Sequence, residues 1–187
     1  IDRERKVLRL ASGETESYHK LALTLGAYPS TITLRGSDKS GVHYLRKLAD
    51  VDQIKPFMGI GKSAVIVGGG YIGLEAGAIL RQTGMSVTVL EALSRVLQRV
   101  TAPVVSEFYE RLHREEGVEI FTGALVTSIE GENHVERVHC ADGSELDADL
   151  VIIAVGVLPH TRLAAQAGLD VEDGILYGRG ASDQKGG

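Results

Sequence analysis

The sequence predicts an α/β fold, with a doubly wound parallel sheet joined to an antiparallel β-meander. Three stretches support this prediction. Residues 62–91 read as strand, glycine turn, helix and strand, and residues 101–121 repeat the helix–strand pattern. Residues 124–147 then change to short segments that are broken by turn residues. Two successive βα crossovers imply parallel strands with right-handed connections, whereas short broken segments are typical of hairpins.

The first 58 residues predict a hairpin, a linker and a short helix. Residues 5–24 carry apolar runs on either side of the turn Ser12-Gly13-Glu14, which is typical of two paired strands. Residues 26–41 contain glycine and proline with little periodicity, so they are expected to form a linker. Val42–Met58 is expected to begin as a strand and continue as a helix that ends near Pro56.

The central pattern begins with an apolar run, Ser63–Val67, that stops at three glycines. From Tyr71 to Thr83 the pattern is helical, and Gly84 stands where a helix C-cap glycine is expected. Val87–Leu90 is predicted to be a second buried strand, and the acidic residue Glu91 follows it directly.

A second helix is predicted to follow Thr101, which is expected to cap it, with Pro103 in the first turn. Its predicted buried face consists of Val104, Val105, Phe108 and Leu112. Gly117 is expected to end this helix, and Val118–Phe121 is the third strand.

The remaining elements form the meander and a strand that returns to the main sheet. The meander strands are predicted at 124–130, 134–140 and 145–147, with turns at Gly131-Glu132-Asn133 and Asp142-Gly143. The run Asp149–Val155 is apolar enough for a fully buried strand, and a short helix is expected over Arg162–Ala167.

The glycines at the end of the first strand carry the main functional prediction. Gly68, Gly70 and Gly73 have the spacing G-x-G-x-x-G, which suits a sharp turn, a close approach of a pyrophosphate, and close helix packing respectively. The N–H groups of the first helical turn would point at the phosphates. The fold is therefore predicted to be Rossmann-like. A glycine-rich turn in another doubly wound protein, such as a methyltransferase that binds an adenosyl group, is the alternative.

Glu91 predicts which dinucleotide is preferred. It lies roughly 20 residues after the glycine turn, where an acid accepts hydrogen bonds from the adenosine ribose. A carboxylate at that place repels a 2′-phosphate, so the sequence predicts NAD(H) rather than NADP(H).

Composition excludes several other classes of protein. The net charge of −5 argues against a general nucleic-acid binder. The sequence contains no run of 18 apolar residues, so no membrane span is predicted. The single cysteine, Cys140, excludes an internal disulfide and a C-x-x-C pair, so it is expected to be a packed thiol in a cytoplasmic protein. The six histidines show no ligand spacing with acids, and no metal site is predicted.

Four motifs together resemble one enzyme family. They are VIVGGGYIGLEAG at 65–77, GVHYLRKLADVD at 41–52, VTVLE at 87–91 and VIIAVGVLPH at 151–160. With their order along the chain, they resemble the NAD domain of the FAD-dependent pyridine nucleotide-disulfide oxidoreductases. Within this family, the 41–52 stretch and the lack of a C-x-x-C pair are similar to the ferredoxin and rubredoxin reductase branch, the putidaredoxin reductase type.

The resemblance implies an NADH-dependent flavoprotein in which NADH passes hydride to FAD, which then passes electrons to a ferredoxin- or rubredoxin-type iron–sulfur protein. It implies that Glu75 faces the junction of nicotinamide and flavin in a positioning role and is the catalytic candidate. The implied NAD contacts are Gly68, Gly69, Gly70, Tyr71, Ile72 and Gly73 at the pyrophosphate, Glu91, Arg95 and Arg99 on the adenosine side, and Gly156 near the nicotinamide.

The resemblance also implies a division into domains. Residues 1–41 would be a remnant of an FAD-binding domain with its linker, 42–157 the NAD-binding domain, and 158–187 a truncated return segment. Both ends of the chain look cut, so a fragment of a larger protein is expected. Two alternatives stay open: an NADH oxidase or nitrite reductase-like flavoprotein, and a nucleotide-binding module without turnover. The isolated chain is expected to be inactive and colourless.

Overall fold

The computed structural model describes residues 1–176, and these form two compact units. The sheet unit comprises residues 29–156, and the terminal unit comprises residues 1–28 with the described part of 157–187. The predicted return segment is thus described only as far as residue 176. The assignment of the terminal unit to an FAD-binding domain remains a prediction.

The chain forms short strands and helices in an order close to the predicted one. The strands are β1 Val7–Arg9, β2 Thr15–Ser17, β3 Ala27–Pro29, β4 Val42–Tyr44, β5 Ser63–Val67, β6 Ser86–Glu91, β7 Val118–Thr122, β8 Val126–Glu130, β9 Arg137–Cys140, β10 Glu145–Asp147, β11 Leu150–Ile153 and β12 Val157–Pro159. The helices are α1 Leu48–Ile54, α2 Tyr71–Gln82, α3 Pro103–Glu115 and α4 Arg162–Gln166, and a 3₁₀ turn covers Lys55–Phe57.

The centre of the sheet unit is a parallel sheet of five strands in the order β4-β11-β5-β6-β7. Valine and isoleucine fill β5 and β11, which are buried on both sides, as expected for strands in the middle of a parallel sheet. The chain leaves β5 toward β6, whereas β11 lies on the other side of β5. The carboxyl ends of β5 and β11 therefore border a crevice of the kind that binds ligands in open α/β sheets.

Two different layers cover the faces of this sheet. One core cluster joins the sheet to the helical side through Ile54 of α1, Leu74 and Leu80 of α2, and the half-buried Tyr109 of α3. The other cluster joins it to the antiparallel strands β8, β9 and β10. The predicted meander thus forms the layer opposite the helices. Cys140 of β9 is a buried thiol in this layer, which confirms its predicted packing role.

The terminal unit contains two pairs of short strands. β1 pairs with β2 around the predicted turn, but the returning strand ends at Ser17, well before the predicted residue 24. β12 pairs with β3, and the Tyr28 and His160 rings lie 4.9 Å apart beside this pair. In this unit Arg3 donates a hydrogen bond to the Gly168 carbonyl oxygen.

Residues 29–41, which the sequence predicts as linker, are packed onto the sheet unit. Ile32 and Leu34 are partly buried against the core cluster on the meander side. Short parallel bridges join Arg35 to Ser128 and Ser40 to His134. The compact sheet unit includes this segment from Pro29 onward, because the segment has backbone partners in the meander.

The predicted orientation and cap of α3 are wrong. Val104, Phe108 and Leu112 are 70%, 49% and 39% exposed, although the sequence predicts them to be buried. The inward side instead carries Ser106 and His113, whose polar atoms bond the carbonyl oxygens of Val96 and Leu74. These bonds fix the rotation of the helix.

The residue at the start of α3 also differs from the prediction. The N-cap is Ala102, without a side-chain cap, and Pro103 occupies the first turn as expected. Thr101 uses its hydroxyl to donate to the Leu97 carbonyl oxygen, so it is not available as a cap.

None of the helices within residues 1–176 is long and apolar enough to cross a membrane.

The edge strand β4 contains a histidine whose pKa is lowered by its surroundings. Burial lowers the pKa of His43, and the nearby Asp50 carboxylate opposes this in part. The ring lies 5.1 Å from that of Phe57, and its Nε2 atom is buried without a hydrogen-bond partner among the described residues. The folded state therefore binds a proton at His43 more weakly than the unfolded chain does.

We expect this difference to destabilise the fold in mild acid. The contribution of neutral His43 is complete above about pH 6.5, the ordinary histidine pKa, and is lost as the pH falls below it towards the lowered folded pKa. Denaturant unfolding of the natural chain and of His43→Leu at several pH values tests this. The variant should lose less stability between pH 7 and pH 5, and parallel curves would show that His43 does not contribute.

Candidate functional site

The glycine turn between β5 and α2 is built so that only glycine fits its first position. Gly68 has a φ of +113°, which is unfavourable for residues with a Cβ atom. A Cβ added there would stand 2.5 Å from the Ala154 carbonyl oxygen at the end of β11. Its N–H donates to the Leu90 carbonyl oxygen at 2.8 Å. The turn is thereby fixed over the crevice between β5 and β11.

The third glycine of the motif allows α2 to pack against the turn. A Cβ on Gly73 would collide with the Gly68 carbonyl oxygen and would stand 3.2 Å from the Ile66 side chain. Gly77, one helical turn later, has Ile66 and Val89 side-chain atoms within 3.3 to 3.6 Å of its Cβ position. Gly77 therefore serves the close packing of α2 against β5 and β6.

The second glycine of the motif faces open space. Gly70 is the N-cap of α2, with φ and ψ of −80° and 179°, and no side chain caps the helix start. Nothing lies within 4 Å of its Cβ position. The N–H groups of Tyr71, Ile72 and Gly73 begin the helix, where they have no intrahelical acceptor. The open side beside Gly70 can therefore admit an anion to the positive end of α2.

Glu91 points at the glycine turn from the end of β6. Its Oε2 atom accepts a hydrogen bond from the Gly69 N–H at 2.7 Å, and its Oε1 atom accepts one from the Leu93 N–H at 2.8 Å. The side chain is half-buried. Each carboxylate oxygen has a further acceptor site, so the group can receive hydroxyl donors while it keeps both backbone bonds.

The two arginines after β6 have different surroundings. Arg95 donates to the carbonyl oxygens of Gln98 and Thr101 and to the Ser106 hydroxyl. Arg99 is exposed, and within the described residues it makes no ion pair or side-chain hydrogen bond. The structure therefore directs Arg95 into its own loop and into α3, whereas the Arg99 guanidinium is available to a ligand.

The other predicted site residues lie around the same turn. Glu75 is exposed on α2 and has no polar side-chain partner in residues 1–176. Tyr71 begins α2, is 47% exposed, and places its ring edge-on to Tyr109 of α3. Ile72, next to it, is half-buried. Gly156 follows β11 with a φ of +121°, and its carbonyl oxygen accepts a bond from the Ser30 N–H.

Three groups that support the glycine turn and the loop beside it were not predicted from the sequence. The Ala154 carbonyl oxygen forces glycine at position 68, and the Leu97 N–H donates to the Gly69 carbonyl oxygen at 2.9 Å. Ser106 is fully buried and accepts from Arg95. No motif includes these groups, because two are main-chain atoms and the third, Ser106, is not among the residues predicted to line the buried face of its helix.

This arrangement suits a dinucleotide. A pyrophosphate can lie against the bare main chain at Gly70 and the start of α2, and a ribose beyond it can reach the Glu91 carboxylate. Within residues 1–176 it is the one strand–glycine turn–helix unit of this type.

Comparison with known proteins shows which family and which relatives this chain resembles. Residues 1–178 match the pyridine nucleotide-disulphide oxidoreductase family. The chain is 41% identical to putidaredoxin reductase of Pseudomonas putida over 182 residues, which cover 94% of this chain and 43% of that protein. It is 37% identical to rubredoxin-NAD(+) reductase of Ectopseudomonas oleovorans over 177 residues, 94% of this chain and 46% of the relative.

A solved structure shares the fold. The covalent complex of putidaredoxin reductase with putidaredoxin superposes with a TM-score of 0.81 at 41% identity, covering 93% of this chain and 43% of the matched chain. The chain thus spans less than half the length of the relatives that it matches.

The different surroundings of Gly70 and Gly73 predict different effects of the same substitution. Gly73→Ala should reduce the free energy of unfolding by about 3 kcal/mol, because α2 must move away from the Gly68 carbonyl oxygen. Gly70→Ala should cost less than about 1 kcal/mol, because its backbone conformation is ordinary and its Cβ enters open space. Denaturant unfolding measures both, and equal losses would contradict this assignment of roles.

Proposed function

The chain belongs to the pyridine nucleotide-disulphide oxidoreductase family, and on that premise we propose that it is the NADH-binding part of a flavoprotein reductase. The whole protein would take electrons from NADH through FAD to a ferredoxin- or rubredoxin-type iron–sulfur protein. The observation that carries the dinucleotide site is the bond from the Gly69 N–H to the Glu91 carboxylate beside the open position at Gly70.

The carboxylate is the basis for choosing NADH over NADPH. Its two backbone hydrogen bonds hold both oxygens at the site where the adenosine ribose would lie. A ribose with two free hydroxyl groups can donate to the remaining acceptor positions. A 2′-phosphate would instead bring negative charge against a half-buried carboxylate, which costs binding free energy.

The remaining site residues have supporting roles in this proposal. The exposed Arg99 would attract the phosphates or the adenosine side, and Tyr71, Ile72 and Gly73 would offer their N–H groups to the pyrophosphate. Gly156 would allow the nicotinamide end to pass close to the main chain after β11. Glu75 would face the reacting end of the nicotinamide from α2, where its exposed carboxylate has room for a partner.

The cofactors supply the electron chemistry, with the nicotinamide as hydride donor and the flavin as the group that turns a two-electron donor into single electrons. The proposal of FAD and of an iron–sulfur acceptor is supported by the relatives, which are named as putidaredoxin and rubredoxin reductases. The single glycine turn in the described residues provides one dinucleotide site, which we assign to NADH. The FAD of the whole protein would then need a site of its own.

Two other proposals remain distinct from this one. A nucleotide-binding module without turnover would bind NADH at the same turn but would reduce no acceptor. An NADH oxidase or nitrite reductase-like flavoprotein would share NADH binding and differ in the acceptor. A cytoplasmic location also stays a proposal, which rests on the content of one cysteine in the sequence.

The first test concerns cofactor preference. We expect the chain to bind NADH at least tenfold more tightly than NADPH, because of the Glu91 carboxylate. Glu91→Ala should weaken NADH binding by about 1.5–3 kcal/mol, the value of hydrogen bonds to a charged acceptor, and should bring the two affinities close together. Calorimetric titration with NADH, NADPH and FAD measures this.

Glu107→Ala is a matched control, since Glu107 is an exposed glutamate on α3. It should leave both affinities unchanged. Failure of the natural chain to bind NADH, tighter binding of NADPH, or preferential binding of FAD would each reject the assignment of this site.

The second test concerns the natural protein that carries this chain. Anaerobic NADH should bleach its flavin absorbance, and a ferredoxin or rubredoxin should restore that absorbance as it becomes reduced. Glu91→Ala should lower the rate of bleaching at low NADH concentration and leave reoxidation unchanged. Bleaching without transfer to either iron–sulfur protein, but with transfer to oxygen or nitrite, would favour the other flavoproteins.

A further inference from the structure

We propose that Arg95 is a positioning residue that holds loop 92–101 against the glycine turn, and that it does not itself contact the dinucleotide. This inference rests on the proposed NADH-binding function of the turn. It differs from the sequence expectation, in which Arg95 and Arg99 both contact the adenosine side. A chain of hydrogen bonds runs from α3, through this loop, to Gly69.

The Arg95 guanidinium spans the loop that contains it. Its Nη1 atom donates to the Thr101 carbonyl oxygen at 3.0 Å and to the Ser106 hydroxyl at 2.7 Å, and its Nη2 atom donates to the Gln98 carbonyl oxygen at 3.1 Å. Both terminal nitrogens therefore have acceptors inside the protein. The planar fork fixes the relative positions of its three acceptors.

Ser106 joins this loop to α3. Its side chain is fully buried, and its hydroxyl donates to the Val96 carbonyl oxygen at 2.6 Å while it accepts from Arg95. A carboxylate oxygen of Glu110, one turn later on the helix, accepts from the Val96 N–H at 3.3 Å. The peptide groups on both sides of Val96 are therefore held by α3.

The opposite edge of the loop holds the glycine turn. Leu97 donates its N–H to the Gly69 carbonyl oxygen at 2.9 Å, while the Gly69 N–H donates to Glu91 at 2.7 Å. Leu97 has a φ of +55°, a region that residues with a Cβ atom rarely occupy, and its side chain is 3% exposed. Such a conformation persists only where surrounding contacts enforce it. The Leu97 carbonyl oxygen accepts bonds from the Val100 and Thr101 N–H groups and from the Thr101 hydroxyl, and Arg95 in turn holds the Thr101 carbonyl oxygen.

The consequence is a division of labour between the two arginines. Without the Arg95 bonds, Leu97 is held less firmly in its unfavourable conformation, and the Gly69 carbonyl oxygen more often loses its donor. The Gly69 peptide group presents the Glu91 carboxylate and borders the phosphate position, so both parts of the cofactor site become less ordered. The exposed Arg99, on the same loop, remains as the cation that can attract the cofactor.

Binding measurements with single and double variants separate positioning from direct contact. Arg95→Met should weaken the binding of NADH about tenfold. It should weaken the binding of AMP by a similar factor, because AMP contains the same adenosine ribose. The salt dependence of NADH binding should stay as in the natural chain, since no ligand charge contact is removed. Arg99→Met should instead reduce that salt dependence.

Ser106→Ala provides the coupled variant, because the buried Ser106 cannot touch a nucleotide. It should weaken NADH binding severalfold, and Arg95→Met with Ser106→Ala should bind no more weakly than Arg95→Met alone. Hydrogen exchange in the free chain gives a readout without ligand: the Leu97 and Gly69 amides should exchange at least tenfold faster in either variant, while those of β5 stay protected.

Several results would overturn the proposal. Arg95→Met could reduce the salt dependence of NADH binding as Arg99→Met does, the effects of Arg95→Met and Ser106→Ala could add fully, or the Leu97 and Gly69 amides could keep their natural exchange rates. If Arg95→Met fails to fold, Ser106→Ala and amide exchange decide. A natural chain that binds neither NADH nor AMP refutes the proposed function, and amide exchange then still tests the role of Arg95.

Discussion

The hydrogen bond between the Gly69 N–H and the Glu91 carboxylate connects the two ends of the βαβ unit. It joins the turn after β5 to the last residue of β6, so the proposed phosphate and ribose positions have a fixed relation. The bond depends on the turn being bare, since a side chain at position 69 would meet Val96 and Glu91 itself. It also depends on β5 and β6 being parallel neighbours in register, with Val67 opposite Leu90.

The parallel sheet on which this bond depends also determines how the layers of the protein are arranged. A parallel sheet needs cover on both faces, and here helices supply one cover and an antiparallel meander the other. The helical side also brings α2 close to the glycine turn, where its start borders the proposed phosphate position, and the two glycines at 73 and 77 allow this close packing. The meander side has no such demand, and short strands with an ordinary apolar core are sufficient there.

The surface of α3 shows how polar contacts can decide the rotation of a helix. Apolar residues at 104, 108 and 112 form a regular stripe, yet the buried side carries Ser106 and His113, with Tyr109 half-buried between them. Buried hydroxyl and imidazole groups need partners, and the carbonyl oxygens of Val96 and Leu74 provide them. The same rotation lets α3 hold loop 92–101, so the orientation of this helix bears on the cofactor site.

The sequence alone determined the βαβ unit and the meander, and it predicts where the proposed cofactor site lies, because each depends on local signals. Apolar runs of strand length, glycines at chain turns and an acid at a strand end can each be recognised from the few residues around them. The tertiary structure decided the packing of residues 29–41, the inward face of α3 and the different surroundings of Arg95 and Arg99. These depend on contacts with main-chain carbonyl and N–H groups, such as those of Thr101, Val96 and Gly69. Nearly every residue type carries the same main-chain groups, so the sequence does not show which of them a side chain will contact.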